Sequence, residues 1–76
     1  MHQSEEEHLI DMINHIAMNN LSVGDELAVA QMIEGHIRKF WPRRMKALLC
    51  DYIARDGSEL HPAALLAGTR LSEKGA

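Results

Sequence analysis

Proline 42 separates two stretches of helical periodicity, and that break constrains the fold of this 76-residue chain more than any other feature. Proline lacks an amide donor and disfavours the helical conformation in the residue before it, here Trp41, yet it suits the opening turn of a new helix. The chain must therefore bend at Trp41. Upstream, Ala30, Ile33, Ile37 and Phe40 recur at three- and four-residue intervals, flanked by Val29 and Met32, as one face of a helix requires. Downstream, Met45, Leu48, Leu49, Tyr52 and Ile53 repeat that spacing as far as Gly57, a natural C-terminal cap.

The flanking segments read the same way. Ser4-x-x-Glu7 is a capping box, in which the Ser hydroxyl accepts an orphan amide three residues on and the Glu carboxylate reaches back to the Ser amide. Leu9, Met12, Ile13 and Ile16, widened by Ile10 and Ala17, predict a helix over about residues 5–19 that stops near Asn19-Asn20. Leu21 is then expected to pack on the core. Ser22 or Asp25 caps the next helix, with acidic groups at the positive end of its dipole. Gly35 interrupts this second helix at a cost of about 1 kcal/mol relative to Ala, which predicts a close backbone approach there. Ser58 to His61 forms a short link, and Pro62 opens a last helix carrying Leu65 and Leu66. No strand-like alternation, glycine-rich phosphate loop or repeat occurs. The expected fold is all-α: a small helical bundle of three main helices plus a short C-terminal helix, one domain over 1–76, with residues 68–76 a weakly ordered tail.

Composition narrows the function. A domain this small buries only about 60% of the surface its unfolded chain exposes, so partner contacts matter to its stability. No apolar run approaches the roughly 18–20 residues of a membrane span, and the acidic start Ser4-Glu5-Glu6-Glu7 is unlike a secretory signal, which points to the cytoplasm. Cys50 is the only cysteine, so the chain forms no internal disulfide and cannot alone ligate an iron–sulfur cluster. In the apolar third helix it reads as a small hydrophobe. Five histidines raise the question of a metal. His8, Met12 and His15 share a helical face, but residues seven apart are about 10 Å apart along the axis, too far to grip one ion alone. Glu5 to Glu7 complement a helix dipole without any chemistry. Met12, Met18, Met32 and Met45 read first as core filling and second as an adaptable surface. Asn14, one position off the apolar stripe, is expected to be solvated or to bond a neighbouring chain. No catalytic, cofactor or metal site is expected.

The joint around Pro42 is the exception to this plain reading. Five of the eight Lys and Arg residues, Arg38, Lys39, Arg43, Arg44 and Lys46, fall within nine positions beside Phe40 and Trp41. Arg38 and Lys39 suit the end of the second helix, but Arg43, Arg44 and Lys46 sit at the start of the third and oppose its dipole, costing a few tenths of a kcal/mol each unless an acidic group answers them. Carboxylates or phosphates on a partner would do so.

The order of these residues resembles a known family, the delta subunit of cytoplasmic NAD-linked formate dehydrogenases that depend on molybdenum or tungsten. Three elements carry the resemblance over about residues 9–66. Leu9-x-x-Met12-x-Asn14-x-Ile16 resembles the family's L-x-x-M-x-N-x-I. His36-Ile37-Arg38-Lys39-Phe40-Trp41, followed by Arg44-Met45, resembles its H-[hydrophobic]-[RK]-x-F-W-[DE]-P-R-M. Leu60-x-Pro62 resembles the L-x-P that opens the family's last helix. The chain departs from the pattern at Pro42-Arg43, where an acidic residue and then proline are usual, so an acidic N-cap is lost and a positive charge gained.

The resemblance implies a non-catalytic accessory subunit associated with assembly or stability of an enzyme whose larger subunits carry the molybdopterin cofactor, iron–sulfur clusters and flavin. It makes Arg38, Phe40, Trp41, Arg44 and Met45 the candidate contacts with the large catalytic subunit, and the adjoining cations Lys39 and Arg43 are counted with them. An alternative is a small nucleic-acid-binding or regulatory module that uses the basic Arg38–Lys46 patch on phosphates, with binding that weakens steeply in salt. A third reading is a homo-oligomer whose basic joint meets the acidic first helix of another copy, which is compatible with the accessory-subunit reading.

Overall fold

A computed structural model describes residues 4–73 of the chain. It contains four helices, α1 (Glu5–Asn19), α2 (Glu26–Phe40), α3 (Arg43–Arg55) and α4 (Pro62–Glu73), with a single 3-10 turn at Leu21–Val23 between the first two. The capping box forms as the sequence predicts: Ser4 Oγ accepts from the Glu7 amide at 3.1 Å, and Glu7 accepts from the Ser4 amide at 3.0 Å. Asp25 is the N-cap of α2, accepting from the Ala28 amide at 2.9 Å. Gly57 lies just past the end of α3 with φ +73°, a left-handed backbone that a residue with a Cβ adopts only at a cost.

One core unites the helices. Leu9, Ile13 and Ala17 of α1, Val29, Ala30, Ile33 and Ile37 of α2, Leu49 and Tyr52 of α3, and Ala63, Ala64, Ala67 and Leu71 of α4 are buried together with Trp41 and Leu60. A radius of gyration of 11.4 Å is that of a chain of this length folded about a single centre. The most extensive helix pair is α2 with α4, and the small buried residues of α4, Ala63, Ala64, Ala67 and Gly68, let its neighbours pack closely on it. A Cβ at Gly68 would overlap Ile53 Cδ1, whereas one at Gly35 would meet nothing within 4 Å. The close backbone approach expected at Gly35 is therefore absent; the crowded helical glycine is Gly68, met by the Ile53 side chain of α3.

Two further expectations change. The tail expected from residue 68 is helical through Glu73, because Gly68 and Leu71 are buried against the core; residues 74–76 lie outside the described residues. Leu21 does not return to the core: the 3-10 turn leaves it 44% exposed. Buried Glu34 of α2, unanticipated on an apolar face, accepts from Arg70 Nε of α4 at 2.8 Å and from Arg38 Nε at 3.3 Å, tying the two helices together. No helix among the described residues is long and apolar enough to cross a membrane.

Candidate partner interface

Trp41 and Phe40 part company at the joint. The Trp41 amide donates to Ile37 O and closes α2, after which Trp41 takes an extended backbone (φ −86°, ψ 135°), as a residue before proline must. That turn swings the indole inward, leaving Trp41 6% exposed, whereas Phe40 on the last helical position remains 68% exposed, its ring against that of His36 with 4.9 Å between centroids. Phe40 fits the periodic stripe, yet the stripe runs off the end of the core one residue before the bend. Of the two aromatics singled out by sequence, Phe40 lies on the surface and Trp41 is buried beneath the joint.

The charges sort similarly. Arg38 is held by Glu34, and Arg44 makes a two-point ion pair with Glu5 in the first turn of α1. Of the cations at the start of α3, Arg44 thus receives an acidic answer from within the chain. Bonding to the Arg44 guanidinium holds the Glu5 carboxyl below the usual carboxylate range, opposed by slight desolvation, and raises Arg44 in turn. Arg55 likewise pairs with Glu6 and Asp51, which raises its pKa. Among the described residues Lys39, Arg43 and Lys46 form no ion pair. The first residue before α3 is Pro42, whose side chain caps nothing, so the lost acidic N-cap leaves the opening amides of α3 without a side-chain acceptor.

Tertiary packing adds α1 to this surface. One cleft of about 460 Å³ runs between α1 and the start of α3, lined by Glu5, His8, Leu9, Met12, Pro42, Arg44, Met45 and Leu48. A second, of about 580 Å³, continues along α1 towards the end of α2, lined by Asp11, His15, Ile16, His36 and Trp41 and sharing His8 and Met12 with the first. Together they form a groove with an apolar floor and a rim of imidazole, guanidinium and carboxylate groups. His8, Met12, Ile16 and Leu48 were not foreseen as site residues. The only sequence signal for them is the α1 face carrying His8, Met12 and His15. Those histidines and Asp11 do not converge on a metal position; no such cluster exists among the described residues.

The structure also relates the separated sequence elements. Half-buried Asn14 is bonded within the chain: its Nδ2 donates to Glu59 O at 2.9 Å and its Oδ1 accepts from the His61 amide at 2.9 Å. Buried Tyr52 adds a third tether, its hydroxyl accepting from the Glu59 amide at 2.9 Å. Asn14 of the first element therefore clamps the link that carries Leu60-x-Pro62, and His61 Nδ1 accepts from the Ala63 amide at 3.1 Å to open α4.

The family model described as "NADH-dependant formate dehydrogenase delta subunit FdsD" matches residues 8–67. That span holds the Asn14 clamp, the whole joint and every lining residue of the groove except Glu5. No curated protein and no solved structure matches the chain.

Proposed function

Because the chain belongs to the family of NADH-dependent formate dehydrogenase delta subunits, we propose that it serves as a non-catalytic accessory subunit, promoting assembly, cofactor loading or stability of the catalytic complex in the cytoplasm. It does so by docking on the large catalytic subunit through the joint between α2 and α3. Arg38, Lys39, Phe40, Arg43, Arg44 and Met45 form the contact, and Trp41 fixes the angle at which the two helices present them.

The observation that carries this reading is the exposed Phe40 beside cations that the fold itself leaves unanswered. Aromatic and arginine side chains dominate interface energies, and holding them in solvent brings the isolated chain nothing. Two of the five cations at the joint are engaged within the chain, which leaves a smaller and less continuous positive surface than phosphate binding along a nucleic acid would use.

Affinity purification of the tagged chain from its native host tests the proposal. Formate dehydrogenase subunits should come with it, and deletion of its gene should lower recovery of active, cofactor-loaded enzyme. Recovery of nucleic acid in place of those subunits would overturn it.

A further inference from the structure

The groove has two properties that go beyond the joint. Its floor is built from Leu9, Met12, Ile16, Trp41, Pro42, Met45 and Leu48, drawn from α1, the bend and α3. Its two methionines are adaptable side chains suited to a segment that packs on them without a rigid match. Its rim carries three imidazoles, His8, His15 and His36, together with Arg44, against the carboxylates of Glu5 and Asp11. Glu5 engages Nη1 and Nη2 of Arg44, leaving the Nε hydrogen for another acceptor. Arg43, between the lining residues Pro42 and Arg44, is exposed without an ion pair, and the amides that open α3 beside it have no side-chain cap.

We propose that this groove, from His15 and His36 at one end to Arg44 and Leu48 at the other, receives an acidic amphipathic segment of the catalytic subunit. Its apolar side chains lie on Met12, Met45 and Leu48, and its carboxylates meet Arg43, Arg44 and the start of α3. The inference rests on the accessory-subunit reading and adds the chemistry of the partner segment and the share of α1 in holding it. Charge complementarity selects the occupant. Cations at a helix start oppose the dipole, and a carboxylate placed there satisfies both the cations and the uncapped amides.

Arg43→Glu separates binding from folding, because a carboxylate at the first position of α3 matches the dipole and relieves repulsion with Arg44. The purified variant should melt at or above the wild-type temperature, yet its co-purification with tagged catalytic subunit should fall by about tenfold or more. A photoreactive side chain placed by His8→p-benzoylphenylalanine, in the full complex, should cross-link to a catalytic-subunit peptide containing clustered Asp or Glu; the same group at Leu27 should not. Undiminished co-purification of Arg43→Glu, or a cross-link from position 8 only to a segment without carboxylates, would overturn the acidic-segment proposal while leaving the accessory role standing. Failure of the wild-type chain to co-purify with any formate dehydrogenase subunit would overturn both.

Discussion

Replacing Asn14 by Ala tests whether one amide holds α1 to the link that precedes α4. Its two hydrogen bonds reach 45 and 47 residues along the chain, to Glu59 O and the His61 amide. The Glu59 carbonyl can turn to water, so its loss costs about 0.5–1 kcal/mol, whereas the half-buried His61 amide loses its partner outright at about 1–2 kcal/mol. Alanine returns roughly 0.5 kcal/mol through its higher helix propensity within α1. The net cost is about 2 kcal/mol, against a total stability of roughly 4–11 kcal/mol for a chain of this size. Melting followed by circular dichroism should fall by about 10 °C, since each kcal/mol moves a small domain by roughly 4–8 °C. Asn14→Asp, which retains the acceptor for His61 and loses the donor to Glu59, should fall between the two. A melting temperature for Asn14→Ala equal to or above wild type, as propensity alone would give, refutes the clamp.

Gly35→Ala should stabilise the chain by about 1 kcal/mol in chemical denaturation, because the site is open and helical, whereas Gly68→Ala should gain less or nothing, because its Cβ forces Ile53 Cδ1 aside and that rearrangement offsets the same propensity gain. Equal effects at the two positions would contradict the packing of α4. Trp41→Ala should cost about 3–5 kcal/mol and leave little folded chain, while Phe40→Ala should change the melting temperature hardly at all and act on complex recovery instead. Glu5 has its carboxyl pKa lowered in the fold by Arg44, so its contribution is present above the unfolded-state value and is lost as pH falls through the folded-state value. The stability gap between wild type and Glu5→Gln should accordingly be open at neutral pH and close in acid; a gap that persists after acidification would refute the pairing.

The four helices were legible because each carries local chemistry that specifies it: the Ser4–Glu7 box, the Asp25 cap, the Pro42 break, Gly57 and Pro62. What local pattern cannot supply is which side of a helix meets which neighbour. Gly35 and Gly68 look alike in sequence, and only the arrival of Ile53 over one of them separates the open site from the crowded one. Phe40 and Trp41 differ by a single step at a bend, and the extended residue that proline demands sends one inward and strands the other. Glu34 and Asn14 were obscure for the same reason. Each sits beside an apolar stripe and is explained by a partner 36 or more residues away. The candidate site was half legible: the joint is written in consecutive residues, but the groove exists only once α1 lies against it, so His8, Met12 and Leu48 had no common sequence signal.

Hydrogen exchange of the chain, free and within the assembled formate dehydrogenase, tests the central claim most directly, that the face formed by α1 and the α2–α3 joint meets the catalytic subunit. The amides of Arg43, Arg44 and Met45, which open α3 without a side-chain cap, should exchange quickly in the free chain because nothing within the helix receives them. On assembly they should slow markedly, together with amides along the groove face of α1. Protection confined to the exposed side of α2 around Leu27 and Gly35, with residues 43–45 exchanging as fast as in the free chain, would contradict it.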